Sequence, residues 1–163
     1  MNDDLAALDS FDGRVRLFPL PNVVLFPSVF LPLHIFEARY REMVADAIAG
    51  DRMIGMVLLR PGWEHDYEGR PPAYQIGSSG VITHFERLSD GRYNIILRGL
   101  ERFRVLEEDS SRIYRRAIVE RLADGVIGSD DRTVIRRLRA KLEANGTPLI
   151  VTQPRAGYRI LAD

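Results

Sequence analysis

The residues best suited to chemistry in this 163-residue chain are three aromatics in one polar stretch, Trp63, Tyr67 and Tyr74. Rings with polar tips can line an apolar groove while still reaching water, a common property of binding sites. The same rings can fold back over the core, and their spacing leaves both arrangements open. The histidines, His34, His65 and His84, fall in separate segments with no HExxH and no ligand pair at helical spacing, so they do not spell a zinc site. His65-Asp66 reads as a solvated pair and His84 as a histidine inside a strand. The only lysine, Lys141, is followed by Leu142. There is accordingly no GxxxxGK[ST] phosphate cradle, nor a GxGxxG. No GxSxG elbow marks a nucleophile; Ser78-Ser79, between Gly77 and Gly80, marks a turn or bulge. Glu107-Glu108-Asp109 resembles an exposed strand end rather than two carboxylates of separated acidity. These residues imply binding without catalysis. No ATPase or peptidase activity, cofactor or metal is expected.

Charge offers a second possibility. Residues 132–163 hold 7 basic and 2 acidic residues, whereas residues 1–131 hold 16 basic and 21 acidic. Arg136, Arg137, Arg139, Lys141 and Arg155 could meet nucleic acid, or form a solvated helix face. The chain contains no cysteine, which removes disulfides, thiolate metal sites and thiol nucleophiles at once. That suits a reducing compartment, and a cytoplasmic location is expected. Residues 1–13 read as a flexible acidic lead carrying Asp3, Asp4, Asp9 and Asp12, unlike a secretory signal. Leu17 to Phe36 is apolar, but Pro19, Pro21, Pro27 and Pro32 each remove a backbone donor. A membrane helix is therefore excluded there in favour of extended strands joined by proline turns.

The elements that must position these residues follow from periodicity. Val15, Leu17 and Leu20 begin extended structure, and Val23-Val24-Leu25-Phe26 reads as a short buried strand. Phe36, Tyr40, Met43, Val44, Ala47 and Ile48 share one helical face. Glu37 falls in the first turn of that helix, and Gly50 is placed to end it with a positive φ. Met53 to Leu59 is a strand buried on both faces. Residues 60–75 form a long loop, the kind that is often functional. A meander follows: Val81 to Leu88, a turn at Ser89-Asp90-Gly91, an alternating strand from Tyr93 to Arg98, a break at Gly99, alternation again around Phe103 and Val105, then Ile113 to Arg121. Near Asp130 or Asp131 a helix should begin, carrying Ile135, Leu138 and Leu142, with Asn145-Gly146 as its stop. Leu149–Thr152 and Tyr158–Leu161 could then pair as a hairpin.

Several ordered blocks are similar to a known family. Leu17-Phe-Pro-Leu-Pro-Asn-Val-Val-Leu-Phe-Pro27 and Pro32-Leu-His-Ile-Phe-Glu-Ala-Arg-Tyr40 resemble the opening of the LON substrate-binding domain, the N-terminal domain of Lon proteases that also occurs alone. The likeness continues through Ile54-Gly-Met-Val-Leu, Ile76-Gly, Asp90-Gly-Arg-Tyr-Asn-Ile and Arg98-Gly-Leu-Glu-Arg-Phe-Arg104, and covers residues 14–122. It implies a mainly β, α+β fold: a PUA-like pseudo-barrel with a packed helix, followed here by a C-terminal helix and a possible hairpin. The domain would span 14–124, with residues 125–163 as an appendage. In Lon proteases this domain helps recognise unfolded or damaged polypeptides, while other domains hydrolyse ATP and cut peptide bonds. Ala38 stands where the family often has proline, and Ser78 and Ser79 where relatives can carry cysteine. Glu37, Arg39, Tyr40 and Arg102 read as structural anchors. Beyond the likeness, Thr133 to Glu143 and Ile150 to Ile160 resemble the recognition helix and wing of a response-regulator winged helix, though the rest of that fold is absent.

Two functions follow. The first is a non-catalytic module that binds unfolded or extended polypeptide through Trp63, Tyr67 and Tyr74, with a protease or chaperone as a candidate partner and without membrane or nucleic acid. The alternative is DNA binding through Arg136, Arg137, Arg139, Lys141 and Arg155.

Overall fold

A computed structural model describes residues 11–122, Leu8 and the segment Tyr158–Ile160. Its elements run β1 (Arg14–Leu20), β2 (Phe30–Ile35), α1 (Ala38–Ala49), β3 (Met53–Leu59), β4 (Ala73–Arg87), β5 (Tyr93–Asp109), β6 (Arg116–Leu122) and β7 (Tyr158–Ile160). A 3-10 turn at Trp63–Asp66 lies between β3 and β4. Strands β4, β3, β1, β6 and β5 pair in that order, and β5 returns to β4, so the sheet closes into a ring. The β1–β3 pairing is parallel; the other ring pairings are antiparallel. Closure covers strand edges that would otherwise offer free backbone groups. β2 joins the ring from outside, along β5, and β7 lies on the far side of β2. This is the mainly β fold with a packed helix that the sequence implies.

Two cores fill the structure because β1 and β3 are buried on both faces. Phe18 and Leu20 of β1 and Ile54 and Met56 of β3 point into the larger core, where α1 adds Tyr40, Met43, Val44 and Ala47. Val15, Leu17 and Val57 point the other way and meet Phe103, Ala117 and Val119 in the smaller core. The continuous apolar run of β3 is the local signature of this double burial.

Several expectations need correction. Val23–Phe26 is a loop rather than a strand, buried at Val23 and Leu25 and exposed at Val24. Its neighbours Asn22 and Ser28 take φ of 58° and 63°, which turns the chain out of the sheet while Val23 and Leu25 stay buried. Gly99 does not break β5, which runs on to Asp109. At that glycine β5 changes partners, since residues 93–98 pair with β2 and residues 102–109 with β6. A Cβ on Gly99 would sit 2.0 Å from the Phe26 carbonyl oxygen, so the glycine admits the crossing loop. The strand expected from Val81 begins at Ala73, and that expected from Ile113 begins at Arg116. Gly50 follows α1 with φ −114°, not a positive value. A Gly50 side chain would begin 2.9 Å from the mobile end of Arg16 and 3.3 Å from the Asp46 carbonyl. Gly91 does take the expected positive φ, 86°. At the N-terminal end of the described residues, Phe11 packs on the smaller core and the Gly13 carbonyl accepts from the Val119 N–H at 2.8 Å.

The helix expected near 130–145 and the strand at Leu149–Thr152 lie outside the described residues. Tyr158–Ile160 is extended, but its described partner is β2, with Leu33 opposite Ile160, His34 opposite Arg159 and Ile35 opposite Tyr158.

Candidate functional site

The chain between β3 and β4 is pinched at its base: the Arg60 N–H donates to the Pro72 carbonyl at 2.9 Å, and Leu59 lies opposite Ala73. What projects beyond the pinch is the loop that carries Trp63 and Tyr67. The two rings meet edge to face, with centroids 5.7 Å apart. Trp63 is half-buried, whereas Tyr67 packs against the larger core.

The entry to α1 holds this loop. Glu37 precedes the helix with extended backbone, and its carboxylate caps no helical N–H. Instead Oε1 accepts from the Tyr67 hydroxyl at 2.7 Å and Oε2 from Arg39 Nε at 3.0 Å. Arg39 also donates Nη2 to the Tyr67 carbonyl at 3.0 Å and Nη1 to the Gly69 carbonyl at 3.3 Å. Its guanidinium lies over the Tyr40 and Tyr67 rings, 4.8 and 5.1 Å from their centroids. Tyr40 in turn stacks on Phe18 at 4.5 Å in the core. Glu37, Ala38, Arg39 and residues 63–69 bound an open cleft of about 950 Å³. Both oxygens of Glu37 and most of the Arg39 fork are engaged in bracing, so this arrangement is built to hold a surface in shape.

Burial pushes the Tyr40 hydroxyl up to about 12, against the partial relief of Arg39. Burial also raises Tyr67, reinforced by Tyr40 and by its bond to Glu37. Both groups stay protonated in the fold at pH values where an unfolded chain ionises them, near 10. Their stabilisation is complete below pH ~10 and is lost as pH rises through the folded values. Urea titrations between pH 8 and 12 should show stability falling above pH ~10, and Tyr67→Phe should flatten that fall. An unchanged slope in Tyr67→Phe would show that the hydroxyl is not held as described.

Tyr74 lies elsewhere. It follows the pinch on β4, 42% exposed, with the Arg60 guanidinium 4.9 Å over its ring. It borders a separate cavity of about 310 Å³ together with Leu106 and Arg115. Arg115, only 8% exposed, donates to both oxygens of Glu108 at 2.6 and 3.1 Å and to the Pro71 carbonyl at 2.7 Å, which ties the base of the loop to β5. The structure therefore brings Trp63 and Tyr67 together and sets Tyr74 apart. Glu37 and Arg39, read from sequence only as helix anchors, line the cleft. Their one local signal is a charged pair two residues apart at the start of a helix.

The remaining chemistry-bearing residues take structural positions. His34 Nδ1 is 2.7 Å from Asn94 Oδ1 across the β2–β5 ladder. His65 and His84 are exposed and apart, one in the 3-10 turn and one on β4. The buried Ser79 hydroxyl donates to the Glu101 carbonyl at 3.1 Å, beside a β-bulge of β4. The Asp109 carboxyl is lowered to about 2, first by the Ser111 N–H and hydroxyl and then by Arg116. Arg136, Arg137, Arg139, Lys141 and Arg155 lie outside the described residues. Among the described residues, no helix is long and apolar enough to cross a membrane.

Comparison with known proteins bears on this geometry. The chain is 29% identical over 114 residues to Lon protease of Anaeromyxobacter dehalogenans and 32% over 108 residues to Lon protease 2 of Myxococcus xanthus. Those matches cover 70% and 66% of this chain but 13% of each relative, so the chain spans about an eighth of their length. Among solved structures, the Lon N-terminal domain protein from Xanthomonas campestris matches 80% of this chain and 73% of its own, with a TM-score of 0.56 and 25% identity. The N-terminal domain of Mycobacterium avium complex Lon protease shares the fold, at a TM-score of 0.59 and 13% identity over 82% of this chain and 69% of its own. The family model runs past residue 122 and takes in most of the segment that resembles a winged helix; that second resemblance gains no support. With residues 14–153 matching the model of the ATP-dependent protease La (LON) substrate-binding domain, the chain belongs to that family.

Proposed function

We propose that this domain is a non-catalytic module that binds extended or partly unfolded polypeptide in the cleft between the start of α1 and residues 63–69. The observation that carries the reading is the braced aromatic wall. Trp63 stands half-exposed at the cleft, and behind it Tyr67 is fixed by Glu37 and Arg39. A ring held in place loses little entropy when a ligand covers it, so apolar contact made there is retained as affinity. The family's description, a LON substrate-binding domain, points the same way, and the relatives matched are Lon proteases. A protease or chaperone acting on the held chain is the natural partner, and the cytoplasm the natural setting. Tyr74, on the other side of the loop base, would contribute only to a ligand long enough to pass the pinch.

The test is a comparison of one protein in folded and permanently unfolded forms. The unfolded form should bind more tightly. Trp63→Ala should weaken that binding by about 2 kcal/mol, roughly 25-fold, as truncation of a central aromatic anchor does. Its circular dichroism should stay unchanged. Equal affinity for the two forms would overturn the reading.

A further inference from the structure

Arginine is this chain's usual partner for an aromatic ring that reaches solvent. The exposed rings of Phe30, Tyr74 and Phe85 lie under the guanidiniums of Arg98, Arg60 and Arg52, at 5.6, 4.9 and 5.6 Å. Half-buried Tyr67 has Arg39 over it at 5.1 Å. Trp63 belongs to the residue type that attracts a cation most strongly, yet among the described residues its ring has only Tyr67 against it and no cation over it. Its surroundings carry the opposite charge. The cleft lining holds four carboxylates, Glu37, Glu64, Asp66 and Glu68, against the single guanidinium of Arg39. Glu37 and Arg39 neutralise each other at 3.0 Å. Glu64, Asp66 and Glu68 are exposed and, among the described residues, have no ion-pair partner. In the 3-10 turn Trp63–Asp66, side chains three positions apart eclipse, which sets Asp66 on the same side as Trp63. Gly69 leaves room for that carboxylate, since a Cβ there would meet it.

We infer that the cleft selects polypeptide segments in which apolar residues are flanked by lysine or arginine, with a flanking cation seated over the Trp63 ring in the field of Glu64, Asp66 and Glu68. The inference rests on the polypeptide-binding reading and names the class of segment that the cleft takes. Apolar contact with the aromatic wall supplies affinity common to any unfolded chain. Charge supplies the discrimination, because complementary charge speeds encounter and like charge at the rim rejects a wrong partner. A cation arriving at Trp63 meets a ring and carboxylates that have no partner to give up, so it completes a pairing without breaking one. An acidic segment meets three carboxylates whose charge the Glu37–Arg39 pair does nothing to offset. Each exposed ion pair is weak, so the preference depends on the three carboxylates acting together.

The test titrates the full chain with three labelled peptides. They share one apolar core of leucine, phenylalanine and valine and differ only in their flanks, which are lysine, serine or glutamate. At low salt the lysine-flanked peptide should bind about tenfold more tightly than the glutamate-flanked one, as a few exposed pairs together allow, with the serine-flanked peptide between them. The ratio should shrink to about threefold or less near 0.5 M salt, where screening confines charge to a few ångströms. Glu64→Gln with Glu68→Gln should shrink it to a similar degree at low salt, and Glu64→Lys with Glu68→Lys should invert the order. Both positions are exposed in the loop, so the circular dichroism of either variant should match that of the parent chain. Equal affinity of the parent chain for the lysine and glutamate peptides would overturn the inference. A ratio undiminished in the glutamine variant would also overturn it, by placing the selecting charge elsewhere. In either case the cleft reading survives if Trp63→Ala weakens binding of all three peptides. If the parent chain binds none of them, both readings fall together.

Discussion

Replacing Gly99 with valine should lower the stability of this domain by about 3 kcal/mol, the upper end of what overpacking usually costs. For a chain of this size that is a fall of roughly 6–12 °C in melting temperature. The new Cβ would lie 2.0 Å from the carbonyl oxygen and 2.8 Å from the carbonyl carbon of Phe26. Both are backbone atoms of a loop that cannot swing aside. The Ser28 N–H donates to the Gly99 carbonyl at 2.8 Å and the Gly99 N–H to the Val29 carbonyl at 2.9 Å, so the loop is bonded to the residue that must displace it. The choice of valine makes the prediction sharp. In an open strand, glycine to valine adds β propensity and should stabilise. Alanine, which places its Cβ at the same point, should be nearly as damaging. Thermal unfolding by circular dichroism decides the matter, and a melting temperature unchanged or raised in either variant would show that the loop does not cross β5 there.

Phe103→Ala should cost about 3–5 kcal/mol, the range found for removing a buried phenylalanine. Phe103 is 2% exposed at the centre of the smaller core. Its ring lies against two glycines: side chains begun at Gly55 and Gly77 would come within 2.9 and 2.7 Å of it. Those glycines make the room the ring fills, and they bring no side chain of their own to fill the void. The midpoint of urea unfolding should therefore drop with an unchanged slope. Leu106→Ala provides the contrast. Leu106 lies three residues along the same strand but is 60% exposed, and its loss should stay within about 0.5 kcal/mol. Similar midpoints for the two variants would refute the two-core description.

Local periodicity made much of the fold legible. The apolar run of Met53–Leu59, the helical spacing from Tyr40 to Ala47 and the alternation from Tyr93 to Leu97 each describe a face that a single element buries, and each forms as its spacing requires. The same reasoning failed at Val23–Phe26 and at Gly99. There an apolar stretch and a glycine have meanings set by each other, across a separation that no local window spans. The aromatic stretch was legible as a place of interest. Its division was not, because a backbone pinch at Arg60 and Pro72 assigns Tyr67 to the loop and Tyr74 to the strand.

By itself, then, the sequence determined a mainly β domain with an amphipathic helix near its start, carrying no phosphate-loop or nucleophile-elbow signature, and it pointed to Trp63, Tyr67 and Tyr74 as candidate binding residues. Tertiary structure decided that the Glu37 and Arg39 side chains brace Tyr67, that the sheet closes through β4 and β5, and that Tyr158–Ile160 rests on β2. The division has a physical origin. Periodicity and turn chemistry act between residues a few positions apart and so are written in order along the chain. Close approach, strand partnership and the sharing of a carboxylate depend on which distant segments meet, and that is settled only when the cores pack.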